Sequence, residues 1–92
     1  MDISFKVTLK NRYGLHVRPA TTIAATASQF KSAITVANSR GERADARYPM
    51  ELLVLAAMRG EELTVIVGDG DDAEAAASAL RELFDSAFGG IE

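Results

Sequence analysis

The chain contains no cysteine, and that absence removes two kinds of chemistry at once. Without thiols there is neither a disulfide framework nor a thiolate metal site. Histidine is nearly absent too, with one in the chain, so no metal centre and no metal cofactor is expected. Long apolar runs are missing: no window approaches the roughly 18 apolar residues of a membrane-spanning helix. The opening MDISFKVTLK has no basic region followed by an apolar stretch, so no signal peptide is expected and the protein reads as cytoplasmic. Nor is there an excess of positive charge. The formal net charge is −3, whereas a nucleic-acid binder usually shows a basic balance or stripe. Lys6, Lys10, Arg12 and Arg18 lie early and the acids crowd the last third. That asymmetry prepares the N-terminal end for an anion or an acidic partner, or is ordinary solvated surface.

What is present suits one domain over residues 1–92. A chain of this size buries roughly 60–70% of its unfolded surface, enough for one core. Ile3, Phe5, Val7 and Leu9 alternate with polar residues, the period of a strand with one wet face. Asn11 to Gly14 reads as a turn. From Val17 to about Ser28 the period changes, and Ala20, Ile23, Ala24 and Ala27 form one stripe of a helix. Pro19 fits only in its first turn, where a missing N–H is harmless, so the helix starts very near His16.

Ala33 to Ala37 is a short strand, Asn38-Ser39-Arg40-Gly41 a hairpin turn, and Glu42 to Ala46 a weak return strand with Ala44 and Ala46 inward. Tyr48-Pro49 opens a second helix expected to end near Arg59, with Gly60 just beyond it. Leu63, Val65 and Val67 mark a fourth strand. Asp71, with Glu74 three residues on, predicts a capping box for a third helix whose buried stripe is Ala76, Leu80, Leu83, Phe84 and Ala87. Gly89-Gly90 is expected to fray. The order β-α-β-β-α-β-α, with one-sided strands, predicts a two-layer α+β domain: an antiparallel sheet with helices on one face.

The second helix carries a surplus. Leu52, Leu55 and Ala56 make one apolar stripe, and Met50, Leu53, Val54 and Ala57 make another. A helix on the outside of a two-layer domain buries one side. The second stripe is either a docking patch, with Met as an adaptable contact, or core that wraps further round the helix.

His16 raises the sharpest question. A helix N-terminus offers unpaired N–H groups and about half a positive charge, which makes it an anion site. Arg18 sits in that same first turn, where a cation is disfavoured by roughly 0.3–1 kcal/mol. Either it points into water at small cost, or it shares an anion with the helix end. An imidazole there is a candidate nucleophile. A phosphoryl group carried on the ring makes most sense of the constellation, because it accepts both backbone N–H bonds and charge-assisted bonds from Arg18. Hydrolase chemistry is poorly supported, since no serine sits in a nucleophile-elbow context. Gly68 and Gly70 form no phosphate loop, with Asp69, Asp71 and Asp72 beside them.

The run Asn11-Arg12-Tyr13-Gly14-Leu15-His16-Val17-Arg18-Pro19-Ala20-Thr21 resembles the active-site signature of the HPr family, the histidine phosphocarriers of the bacterial phosphotransferase system. The resemblance continues through Ala27-Ser28 with Phe30, Ala44 to Arg47, Leu52 to Ala57, and Gly60 with Glu62-Leu63-Thr64. It implies an open-faced β-sandwich: a four-stranded antiparallel sheet of order 1-4-2-3 covered on one face by three helices. It implies a stoichiometric carrier rather than an enzyme. Enzyme I, charged from phosphoenolpyruvate, would phosphorylate His16, on Nδ1, and an enzyme IIA domain would accept the group. Arg18 would stabilise the moving phosphoryl, with Asn11, Val17 and Pro19 supporting the site. Ala20, Met50, Leu53 and Ala57 would form the docking surface shared by both partners. The carrier would be a monomer, with neither nucleic acid nor membrane as partner.

Two departures stand out. Tyr48 occupies the place where many members carry a regulatory serine, and tyrosine is a poor N-cap. Glu51 replaces a usual glycine nearby. The ending from Leu83 to Phe88 is similar to the nitrogen-related NPr branch, whose relay is regulatory and would involve effector proteins. A module that only binds partners through the Met50/Leu53 patch, with His16 never phosphorylated, is the alternative from another class.

Overall fold

The computed structural model describes residues 1–92. The alternating segments form β1 (Ile3–Thr8), β2 (Ile34–Ala37), β3 (Arg43–Asp45) and β4 (Glu62–Val67). The 3.6-period segments form α1 (Val17–Ala27), α2 (Pro49–Val54) and α3 (Ala73–Asp85). The sheet runs β1-β4-β2-β3 with every neighbouring pair antiparallel. This is the 1-4-2-3 open-faced sandwich that the resemblance implied.

Register explains which face is dry. Val7 opposes Leu63 across β1 and β4. Val36 opposes Val65 on one side and Ala44 on the other. These side chains point the same way and are buried, together with Ile34 and Val67. Ala20, Ile23 and Ala27 of α1, Leu52 of α2, and Ala76, Leu80 and Phe84 of α3 cover them in one cluster. Ser4, Lys6, Thr8, Glu62 and Arg43 lie on the other, open face and are exposed. No helix is long and apolar enough to cross a membrane.

The second helix stops at Val54, five residues short of the expected end near Arg59. Its carbonyls are wanted elsewhere. The Leu55 carbonyl accepts from Asn38 Nδ2 (3.0 Å) and Arg40 Nη2 (2.8 Å). Ala56 then takes a left-handed φ of 50°, at a cost of about 1–2 kcal/mol for a residue with a Cβ. Gly60, with φ 86°, closes the turn into β4 rather than capping a helix.

The third helix begins at Ala73 with Asp72 as N-cap, and the capping box expected from Asp71 and Glu74 does not form. Asp72 instead accepts from the Lys31 N–H (2.7 Å), the Ser32 N–H (3.1 Å) and the Ser32 hydroxyl (2.7 Å). These donors, the Lys31 amide first, hold its carboxyl below the usual range. The return strand is also shorter than Glu42–Ala46, because the Glu42 N–H is taken by Asn38 Oδ1 at 2.9 Å.

The expected fraying of Gly89-Gly90 is corrected. Residues Ala87, Phe88, Gly89 and Gly90 all have positive φ and form a left-handed turn. Phe88 is buried, its ring edge-on to Phe84 with centroids 5.1 Å apart. Burying such a ring contributes roughly 1.5–3 kcal/mol, which offsets the strain at the non-glycine positions. The turn brings Ile91 and Glu92 back over the loop that follows β1.

Candidate functional site

The loop from Asn11 to His16 is seated by backbone geometry. Gly14 has φ 65°, and a Cβ built there would lie 2.5 Å from the Ala57 carbonyl oxygen. Only glycine fits both the conformation and the space. Next to it, the Leu15 N–H donates to the Ala57 carbonyl (3.0 Å), and Leu15 is buried. So the segment after α2 is the shelf on which this loop rests. Asn11, also buried, donates through Nδ2 to the Gly14 carbonyl and to the Glu92 carbonyl (3.2 Å). The Tyr13 N–H donates to Glu92 as well, at 2.8 Å.

His16 follows as the N-cap of α1, with φ −94° and ψ −170°. Its carbonyl accepts the first helical bond, from Ala20 at 3.0 Å. Its side chain makes no capping bond, and no acidic residue stands in the first turn. The N–H groups of Val17 and Arg18 therefore have no intrahelical acceptor. Pro19, third in the helix and buried, has no N–H to leave unpaired. Nε2 of His16 is buried with no hydrogen-bond partner. Nδ1 is not enclosed in that way.

Arg18 forms no ion pair and its guanidinium makes no hydrogen bond; its carbonyl accepts from the Thr22 hydroxyl at 3.0 Å. The other early cations are engaged elsewhere: Lys6 with Glu62 (3.4 Å), Lys10 with the Asp85 carbonyl (3.2 Å), and Arg12 with Glu92 (3.9 Å). Of the cations expected to receive an anion, Arg18 is the one whose charge is unspent.

The surplus stripe on α2 divides. Met50 is 74% and Val54 75% exposed, and Leu53 is half-buried against the core. Val17, on the first turn of α1, is exposed as well, and α1 packs on α2. Two residues expected on the docking surface do not belong there. Ala20 is fully buried on the core side of α1, and Ala57 is buried beneath the Gly14–Leu15 loop, whose backbone lies against it. Val54, a member of that stripe, stands exposed at the last position of α2, and the residue the pattern missed is Tyr13, whose ring meets His16.

A family model described as "PTS HPr component phosphorylation site" matches residues 3–86. The phosphocarrier protein NPr of Shewanella violacea is 39% identical over 83 residues, covering 90% of this chain and 89% of its own. The phosphocarrier protein HPr of Xylella fastidiosa is 34% identical over 86 residues, covering 94% of each. Among solved structures, an HPr from Thermoanaerobacter tengcongensis superposes with a TM-score of 0.89 at 33% identity, covering 98% of this chain and 99% of that one.

Proposed function

We propose, from the premise that this chain belongs to the HPr family of phosphotransferase-system phosphocarriers, that it relays a phosphoryl group through Nδ1 of His16. Charged enzyme I donates the group and an enzyme IIA domain accepts it. The carrier acts as one domain, monomeric and cytoplasmic. The observation that carries this reading is an imidazole at an N-cap whose neighbouring amides have no acceptor and whose Nε2 is shut away.

The chemistry balances without a cofactor. The Nδ1 lone pair forms a bond to phosphorus as the bond from phosphorus to the donor breaks, its electron pair leaving with the donor. The proton stays on Nε2, and the ring becomes a cation bearing the phosphoryl. The acceptor's nucleophile then attacks phosphorus, and the electron pair of the N–P bond returns to Nδ1. The transition state spreads charge over the phosphoryl oxygens, so positioning and electrostatics do most of the catalysis. In this reading the free amides of Val17 and Arg18 and the Arg18 guanidinium take up that charge. Incubation with phosphoenolpyruvate and a matching enzyme I tests the reading. One acid-labile, alkali-stable phosphate per chain is expected, and an unlabelled protein overturns it.

Arg18→Ala is expected to slow uptake about 10- to 100-fold, the worth of one charge-assisted hydrogen bond. The melting temperature should not move, because the guanidinium has no partner to lose. Rapid-quench rates and thermal melts separate the two. Met50→Ala is expected to raise the KM for enzyme I about 5- to 10-fold with kcat unchanged, as an exposed contact at a docking surface does.

A regulatory output is the second reading, prompted by relatives named NPr at 34–39% identity, the same range as relatives named HPr. In it, phosphorylation of His16 alters binding to effector proteins. Presenting the charged carrier to sugar-type and nitrogen-type enzyme IIA domains distinguishes the two by which one drains the label.

A further inference from the structure

His16 has no side-chain hydrogen bond at either ring nitrogen. An imidazole without such bonds is held in rotation by packing alone. Its aromatic neighbour is Tyr13, whose ring meets the imidazole at 82° with centroids 6.0 Å apart. Such an edge-to-face pair has a preferred geometry and resists rotation of either ring.

Tyr13 is itself unusually well held for an exposed loop residue. Its N–H is fixed to the Glu92 carbonyl at 2.8 Å. The Arg12 guanidinium lies over its ring, 5.3 Å from the centroid, and reaches toward the Glu92 carboxylate at 3.9 Å. On its other side Gly14 is wedged against Ala57 and Met58. A large ring that is 61% exposed, carried on backbone tied at Glu92 and covered by the Arg12 guanidinium, has a reason beyond core packing.

We propose that Tyr13 is a positioning residue for the phosphoryl acceptor, holding the His16 ring in the orientation that encloses Nε2 and leaves Nδ1 to meet the donor. The inference rests on the phosphocarrier reading for its purpose but not for its geometry. Without the Tyr13 ring, the imidazole turns about its Cβ–Cγ bond and presents both nitrogens. Tyr13 touches neither donor nor phosphorus in this scheme; it acts through His16.

The experiment has two arms. In the first, small-molecule alkylation with iodoacetate reads which ring nitrogen is accessible, with no need of phosphate. Wild type is expected to yield the Nδ1 product alone, and Tyr13→Ala a mixture of both isomers, resolved by NMR of the isolated His16 peptide. In the second arm, uptake from charged enzyme I falls about tenfold in Tyr13→Ala, a loss typical of a misplaced reacting group. Tyr13→Phe keeps the ring and should match wild type in both arms. Tyr13→Leu fills the space without an aromatic edge, covers the case of an unstable alanine variant, and should behave like alanine. Unchanged alkylation selectivity in Tyr13→Ala and Tyr13→Leu overturns the proposal. So does a Tyr13→Phe variant as impaired as alanine, which would move the role to the hydroxyl. Wild type that takes no phosphate but still alkylates selectively sinks the carrier reading and leaves the positioning role standing.

Discussion

Replacement of His16 by alanine is expected to abolish phosphoryl uptake and to leave the melting temperature within about 4 °C of wild type, a shift of at most roughly 1 kcal/mol. The half-buried side chain caps nothing and bonds to nothing, so its removal breaks no contact that α1 depends on. It also removes a buried nitrogen left without a partner. His16→Asn sharpens the point. Asparagine is among the best N-cap residues, worth about 1 kcal/mol over a side chain that does not cap. We expect this variant to melt several degrees higher, by about 4–8 °C for a domain of this size, and to accept no phosphate. A helix start that favours capping residues is occupied by one that leaves the amides free. Uptake by the alanine variant would refute the assignment of His16, and a lower melting point for the asparagine variant would refute the capping argument.

Gly14→Ala is expected to cost about 3 kcal/mol and to lower the melting temperature by on the order of 15 °C. Two effects add. An alanine at φ 65° is strained by about 1–2 kcal/mol. Its methyl would also sit 2.5 Å from the Ala57 carbonyl oxygen and 3.0 Å from the Met58 Cα, both backbone and unable to rotate aside. Overpacking of this kind costs about 1–3 kcal/mol. Relief requires the loop to lift from its shelf, which breaks the Leu15–Ala57 hydrogen bond and moves His16. Thermal unfolding by circular dichroism measures the first effect and phosphoryl uptake the second. A melting point within about 3 °C of wild type would show that the loop is not seated as described.

Much of this was readable from local pattern. Val7, Leu63, Val65 and Val67 alternate because strands repeat every two residues, and Ala20, Ile23, Ala24 and Ala27 recur because α1 has one dry side. Pro19 and His16 located the helix start by the chemistry of a first turn. The failures share a cause: each was decided by a residue distant in sequence. Nothing near Leu55 says that Asn38 and Arg40 claim its carbonyl, so the apolar run to Met58 reads as helix. Ala57 looks like a docking residue until the Gly14 loop is seen lying on it. Ala20 belongs to the stripe facing the sheet, a sign in the pattern that was outweighed by its place in the signature. The Gly89-Gly90 pair is locally ambiguous between a loose end and a left-handed turn, and Phe88, an aromatic needing cover, was the overlooked cue. Tyr13 against His16 needed the loop's path, which no spacing rule supplies.

The turn at Ala87–Gly90 has a consequence for how the protein is made. β1 has a single partner, β4, and the His16 loop is tied to Ala57 and to Glu92. A ribosome delivering about 5–20 residues per second releases His16 seconds before the turn that ties its loop down. During that interval the loop that carries His16 lacks the Glu92 contacts that shape it. The loop that carries His16 therefore takes its shape only once the Ala87–Gly90 turn has been made, so order at this site is a late event of synthesis.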